Sequence, residues 1–325
     1  MIGKTMKRGL LAAAMTVALA GQAWAADLKW AHVYEEGSSY HKWALWAAEQ
    51  IKEKTDGRVT VSVYPASSLG KEAEINEGLT IGSVDMIYTG PNFAERDYGP
   101  IAISDYPFML KDYDHWKAYR DSDLFTDLSA GYKEATGHSV MAITWYGYRH
   151  VTSKFPITKP GDMQGLKIRV PDSPLMVLFP NAVGANPTPI AFSEVYLALQ
   201  QGVVDAQENP LPTIKFKKFY EVQSNINLTG HIGNSLIIVV SENAMGQIGD
   251  DAAIVEAVLK DAAAQNADEI YQSEQDLVQW FVDQGIQVNE VDKAAFQAAV
   301  APILTDESKV PYTQEHYERM QALAQ

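Results

Sequence analysis

Two seven-residue segments, LTIGSVD at 79–85 and LQQGVVD at 199–205, share Leu, Gly, Val and Asp at equal offsets. Each reads as the end of a helix, a glycine stop and the start of a strand. Such junctions are common, so the match is either coincidence or a structural repeat. As a repeat it gives each half of the chain one such turn and makes the residues after each Asp equivalent, with Asn209 matching Thr89 and Asn92 lying just beyond. The flanking pattern is α/β. DLKWAHV alternates as a strand, and Trp43, Leu45, Trp46, Ala47 and Ile51 form a helical face from Tyr40 to Lys54 with Ser38 or Ser39 as cap. Gly57 stops that helix and RVTVSVYP follows as a second strand. The crossover length suits parallel strands buried by helices on both sides.

Residues 101–147 continue with an aromatic strand end, ISDYPFML, a helix from about Asp112 to Ala135 and a strand, VMAITWYG. The chain is expected to enter a second lobe near Gly147 and to return to the first through SLIIVVS after Gly233. No Gly-, Ser- or Pro-rich linker marks independent domains, so the crossings are read as hinge strands. Asp250 to Gln284 is helical throughout, with Gly285 as stop; at 1.5 Å per residue it spans about 50 Å, longer than one lobe. The expected organisation is a segment 1–25 followed by lobe I (26–147 with 234–275) and lobe II (148–233 with 276–325), with a ligand cleft between the lobes.

Segment 1–25 reads as a cleaved export signal: Lys4, Lys7 and Arg8 precede a short apolar run, and Ala23-Trp24-Ala25 offers small residues for a peptidase. The run is too short to span a bilayer, and no later stretch is long enough. The net charge of −15 becomes −18 without the signal's three basic residues, which argues against nucleic-acid and anionic-membrane partners. An anionic ligand must therefore be held by local cations against the overall field. The chain has no cysteine, which removes disulfides, thiolate metal sites and cysteine nucleophiles together. HExxH, GxSxG, P-loop and dinucleotide fingerprints are all missing, so neither an enzyme nor a cofactor is expected, and the dispersed histidines predict no metal site.

The chemistry that remains is anion binding. In LKIRVP, Leu166, Ile168 and Val170 recur at a spacing of two, so Lys167 and Arg169 face the other way and Pro171 ends the strand. A guanidinium fixed on rigid backbone presents a planar fork that matches a carboxylate. Arg149 and the Asn-Pro corner at Asn209 likewise follow short β-type runs, at the mouth of a sheet where open α/β folds gather ligands. Tyr34, Tyr40, Tyr88, Trp145, Tyr146 and Tyr148 cluster at strand ends and loops, where rings can pack on the C–H faces of a sugar or, equally, form lobe-interface core.

The strings GYRHVTS, GLKIRVP and GANPTPIAFSEVYLALQQGVVDAQENP resemble the second lobe of the DctP-type solute receptors of TRAP (tripartite ATP-independent periplasmic) transporters, and the resemblance extends from residue 26 to about the last twenty residues. It implies a two-lobed periplasmic-binding-protein fold with one long helix underlying both lobes, and a periplasmic, monomeric receptor that delivers a carboxylate ligand to membrane permease subunits. It also implies that Arg169 makes the bidentate carboxylate contact, Arg149 adds a second basic contact, Asn209 orients the ligand and Glu72 meets its hydroxyls. His32, Tyr88, Asn92 and Trp145 are further candidates from their strand-end positions. A hexuronate is the expected ligand, ahead of a C4-dicarboxylate or sialic acid: a dicarboxylate would want a second cation where this chain offers an acid, and YTGPN at 88–92 lacks the acidic residue of sialic-acid receptors. A sugar-acid lyase or hydrolase and a ligand-sensing protein without transport are the alternatives from other classes.

Overall fold

The computed structural model describes residues 25–304, 306 and 308–324, so the expected export signal lies outside the described residues apart from Ala25. The chain opens as β1 (Ala26–Ala31), α1 (Ser39–Lys54) and β2 (Val59–Tyr64), with Ser38 capping α1 by accepting from the His41 amide. Then follow α2 (Glu72–Ile81), β3 (Met86–Thr89) and the single turn α3 (Pro91–Ala94). A 3₁₀ segment at Gly99–Asp105 stands where a strand end was expected. Pro100 and Pro107 bracket that aromatic run, and neither can donate to a sheet ladder. The expected helix from 112 to 135 is two, α4 (Tyr113–Arg120) and α5 (Asp123–Thr136), because the Ser122 hydroxyl accepts from the Phe125 amide and starts a new helix.

Next come β4 (Ser139–Ser153), β5 (Lys167–Val170), α6 (Leu178–Ala182), β6 (Asn186–Pro189), α7 (Val195–Gln200), β7 (Ala206–Pro210), α8 (Leu211–Phe216) and β8 (Asn225–Val240). The C-terminal part is α9 (Glu242–Ile248), α10 (Ala252–Asp283), β9 (Gln287–Asn289), α11 (Lys293–Leu304) and α12 (Gln314–Ala322). The strands form one sheet in the order β2-β1-β3-β8-β4-β7-β5-β6, with β9 pairing β8. The return strand is thus no fresh start after Gly233: β4 and β8 pair antiparallel along their whole length, from Ser139↔Val240 to Ser153↔Asn225, with register shifts at three places.

The two halves repeat each other. β1 lies between β2 and β3 as β5 lies between β6 and β7, all parallel within each trio. The third strand of each trio then pairs antiparallel with a long strand, β3 with β8 and β7 with β4. Gly82 and Gly202 both end their helices in the left-handed region, at φ 76° and 71°. The Asp85 amide then donates to Lys29 O, as the Asp205 amide does to Lys167 O. This is the repeat that the two seven-residue strings suggested.

The helix α10 has 32 residues, about 48 Å at 1.5 Å each. It buries Val255, Val258, Leu259, Ala262, Ala267, Ile270, Leu277 and Phe281 along one stripe. Polar contacts join it to β4: Thr144 Oγ1 donates to Ala263 O, Asn266 Nδ2 donates to Thr144 Oγ1, and Glu274 accepts from both Trp145 Nε1 (2.8 Å) and the Tyr148 amide (2.6 Å). Among the described residues no helix is long and apolar enough to cross a membrane.

Candidate functional site

A cavity of about 320 Å³ opens at the strand ends where the two halves of the sheet face each other. One wall comes from the first half: Tyr34 after β1, the first turn of α2 with Glu72, and Asn92 on α3. The other comes from the second half: Arg169 on β5, the segment from Pro189 to Phe192, and Asn209 on β7. Tyr146 and Arg149 of β4 and Asn234 of β8 form the floor between them. Five of the residues singled out from sequence, Arg169, Arg149, Asn209, Glu72 and Asn92, thus meet at one cavity.

Arg169 is 2% exposed, and its Nε donates to Ile190 O at 2.9 Å, which fixes the plane of the guanidinium. Its Nη1 is buried without a hydrogen-bond partner, and among the described residues no carboxylate lies within ion-pair distance of it. Burial drives its pKa down to about 10, with the nearby Arg149 guanidinium adding to the effect and Glu208 opposing it. A buried cation with a free donor is costly in isolation, so the site is built to receive an anion.

Arg149 is held quite differently. Its Nε and Nη2 engage the Glu208 carboxylate in a fork, Nη2 also reaches Glu208 O at 2.8 Å, and Nη1 donates to Asn234 Oδ1 at 2.8 Å. Glu208 lies 3.3 Å from His231 Nε2 as well, and its pKa is pulled down to about 2 against the opposing cost of burial, chiefly by the Arg149 charge. Arg149 is therefore a neutralised, rigid part of the floor, leaving Arg169 as the uncompensated cation of the wall.

The remaining polar groups suit hydroxyls. Glu72 accepts from the Gly90 amide at 3.1 Å and from Thr89 Oγ1 at 3.4 Å, and burial raises its pKa to about 7. Asn92 Nδ2 is buried with no hydrogen-bond partner among the described residues. Asn209 donates to Gln207 Oε1 at 2.6 Å and accepts from Tyr146 OH at 3.1 Å, so its amide is locked in orientation.

Three sequence candidates stand behind the wall. His32 is 1% exposed, with Nε2 3.2 Å from His41 Nδ1 and Nδ1 accepting from the Tyr34 amide; burial lowers its pKa to about 3, so it is neutral. Tyr88 is fully buried against Trp30 and His32. Trp145 packs with Tyr113, Trp116 and Tyr148 and donates to Glu274, on the α10 side of β4. These strand-end aromatics face the core, whereas the neighbouring Tyr146 and Tyr34 face the cavity. The sequence reading placed Tyr146 and Tyr34 in the aromatic cluster without choosing them as contacts, and it missed Phe192, Asp172 and Asn234. The repeat carried the signal for Phe192: the offset that relates LTIGSVD to LQQGVVD takes Glu72 to Phe192, and both line the cavity.

Two ion pairs join the halves beside this cavity. Lys71 Nζ lies 2.5 Å from Glu194 at the mouth, and Lys217 Nζ lies 2.6 Å from Glu35. The two pairs run in opposite senses: Lys71 of the first half reaches Glu194 of the second, and Lys217 of the second half reaches Glu35 of the first. The structure is thus a closed arrangement.

Comparison with known proteins agrees with this architecture. The profile of the bacterial extracellular solute-binding proteins, family 7 (DctP), matches residues 30–309. The chain is 35% identical over 302 residues to a solute-binding protein of Roseobacter denitrificans, covering 91% of this chain and 92% of that protein. The crystal structure of a Roseobacter denitrificans TRAP periplasmic solute-binding protein with bound L-galactonate superposes with a TM-score of 0.84 at 32% identity, covering 92% of this chain and 98% of that one. The sialic acid-binding periplasmic protein SiaP of Vibrio cholerae is 32% identical, over 92% of this chain and 94% of its own length. A Xanthobacter autotrophicus TRAP receptor with bound β-D-galacturonate has a TM-score of 0.85 at 25% identity, covering 91% of this chain and 99% of that one. Members of the family are periplasmic binding proteins rather than enzymes. With its two α/β lobes, crossing strands and long helix, the chain belongs to the DctP family of bacterial extracellular solute-binding proteins and is a solute receptor of a TRAP transporter.

Proposed function

We propose that this receptor takes a monosaccharide acid bearing one carboxylate, a hexuronate such as galacturonate or glucuronate first, and hands it to the membrane subunits of its permease. The observation that carries the reading is the buried Arg169 guanidinium, whose Nη1 faces no protein acceptor among the described residues while Arg149 is already neutralised by Glu208. One uncompensated cation matches one carboxylate. Glu72 and Asn92, on the opposite wall, then meet hydroxyls rather than a second acid group, which argues against a C4-dicarboxylate. A cavity of about 320 Å³ lies at the small end of ligand sites, which favours six carbons over the nine of a sialic acid. The ligands of the Roseobacter and Xanthobacter relatives, an aldonate and a uronate, support the same class.

In this reading the receptor is a periplasmic monomer, released by cleavage after residue 25. Residues 26–147 with 234–275 and residues 148–233 with 276–325 act as rigid lobes that swing about β4 and β8. Ligand contacts to both lobes favour the closed state by their differential affinity, and the permease reads that state. A thermal-shift screen over uronates, aldonates, sialic acid, C4-dicarboxylates and keto acids tests the ligand class. A uronate should give the largest stabilisation. Strong stabilisation by succinate or malate with none by any uronate would overturn the sugar assignment and leave the receptor role standing.

A further inference from the structure

A second pocket, of about 340 Å³, lies on the other side of β4 from the cleft. Arg149 faces the cleft, while its neighbours Tyr148 and His150 line this pocket, as expected of residues that alternate across a strand. The rest of the lining is Phe108, Leu110 and Lys111 before α4, Gly230 of β8, and Lys293 and Gln297 of α11. The lining carries two lysines and a histidine and no carboxylate, in a chain whose net charge is −15.

His150 is only 8% exposed, and its Nδ1 accepts the Gly230 amide at 3.0 Å. A neutral imidazole that accepts at Nδ1 must carry its proton on Nε2, which becomes a fixed donor. Among the described residues the ring makes no hydrogen bond besides the one at Nδ1. The ring is neutral because burial, His231 and the Lys293 charge all depress its pKa, to about 3. Lys293 Nζ has no ion-pair partner among the described residues, and Lys111 Nζ reaches only Ala324 O at 3.5 Å. The nearest carboxylates in sequence are engaged elsewhere: Asp112 accepts the His115 amide and Asp292 accepts the Ala295 amide as helix caps.

We propose that His150 Nε2, Lys111 and Lys293 form a second anion site, distinct from the ligand cleft, which takes a small oxyanion such as phosphate. The buried imidazole N–H gives one directed hydrogen bond, and the two lysines supply the charge as mobile point cations, a combination suited to a compact anion rather than to a planar bidentate clamp. Gly230, at φ 51°, lets the backbone turn so that its amide can fix the imidazole tautomer.

The probe is inorganic phosphate, titrated into the full receptor at constant ionic strength while the histidine ring signals are followed by NMR. The expected result is a saturable shift confined to His150 and its neighbour His231. The shift should persist in Arg169→Gln, which removes the cleft cation, and its apparent affinity should fall roughly tenfold or more in Lys111→Gln/Lys293→Gln. Lys293→Arg in the Lys111 background should retain it. Both lysines are exposed, so these variants fold. Loss of the signal in Arg169→Gln, an unchanged affinity in the double lysine variant, or a linear, non-saturating shift would each overturn the proposal.

Discussion

Replacing Gly147 by alanine should unfold the junction on which the cleft rests. Gly147 sits at a bulge in the β4–β8 pairing, between Trp145 and Tyr148, with φ at 118°, a conformation L-residues rarely adopt. A methyl group built there would lie 2.7 Å from Glu274 Oε1 and 2.7 Å from Pro210 Cβ. Neither neighbour can withdraw freely: Glu274 is held by Trp145 Nε1 and the Tyr148 amide, and Pro210 is backbone-paired opposite Arg149. Backbone strain of about 1–3 kcal/mol and overpacking of about 1–3 kcal/mol together give a loss of roughly 2–6 kcal/mol. Urea denaturation measures it. Gly161→Ala is the control, since nothing lies within 4 Å of its added methyl group and its φ is not positive; it should be neutral or stabilising by up to about 1 kcal/mol. Ligand affinity should fall with Gly147→Ala as well, because Arg149 and Asn209 flank the two clash points. A Gly147→Ala protein within 0.5 kcal/mol of wild type would refute the picture of a rigid junction clamped by Glu274.

Two other perturbations test the buried charges. Glu208→Ala leaves the Arg149 guanidinium buried without its counter-charge and should destabilise the protein by about 3–5 kcal/mol in chemical denaturation, far more than an exposed Lys-to-Gln change such as Lys260→Gln. The contribution of three buried carboxyls should fall as pH rises from about 4 to 7, against the opposite contribution of the buried neutral His32 and His150, so it is read from a variant difference rather than from total stability. Burial raises Glu72, Asp105 and Glu274 to about 7 each, so the folded state holds protons that the unfolded chain has released by about pH 4; their stabilising contribution is complete below that pH and lost as the carboxyls ionise. Glu72→Gln can keep the bonds from Gly90 and Thr89, so it should match wild type below pH 4 and be more stable at pH 8 by at most about 3 kcal/mol. A pH-independent difference between the two proteins would contradict the assignment.

Much of this was legible because it was local. The alternation in LKIRVP shows that Arg169 leaves the sheet on the side opposite Ile168, and the glycine stops at 82 and 202 announce the repeated junction. The choice between Trp145 and Tyr146 was not legible. Adjacent strand residues face opposite ways, and the register shift between Trp145 and Gly147 resets which face is which, a feature that no composition signal marks. His32 and Tyr88 failed to reach the cavity for the same reason: a strand-end position says how far along a side chain lies, not on which side. The pairing of Arg149 with Glu208 joins residues far apart in the chain, so the sequence could name Arg149 as a cation but not show that its charge was already answered.

The central claim is that Arg169 is, among the described residues, the one free cation of the cleft and clamps a single carboxylate. Calorimetric titration of galacturonate into wild type and Arg169→Gln tests it most directly. The account predicts one site per chain in wild type and a loss of about 2–5 kcal/mol in the variant, roughly thirtyfold to several-thousandfold in affinity, with the unfolding transition preserved. Wild-type affinity in Arg169→Gln would contradict it.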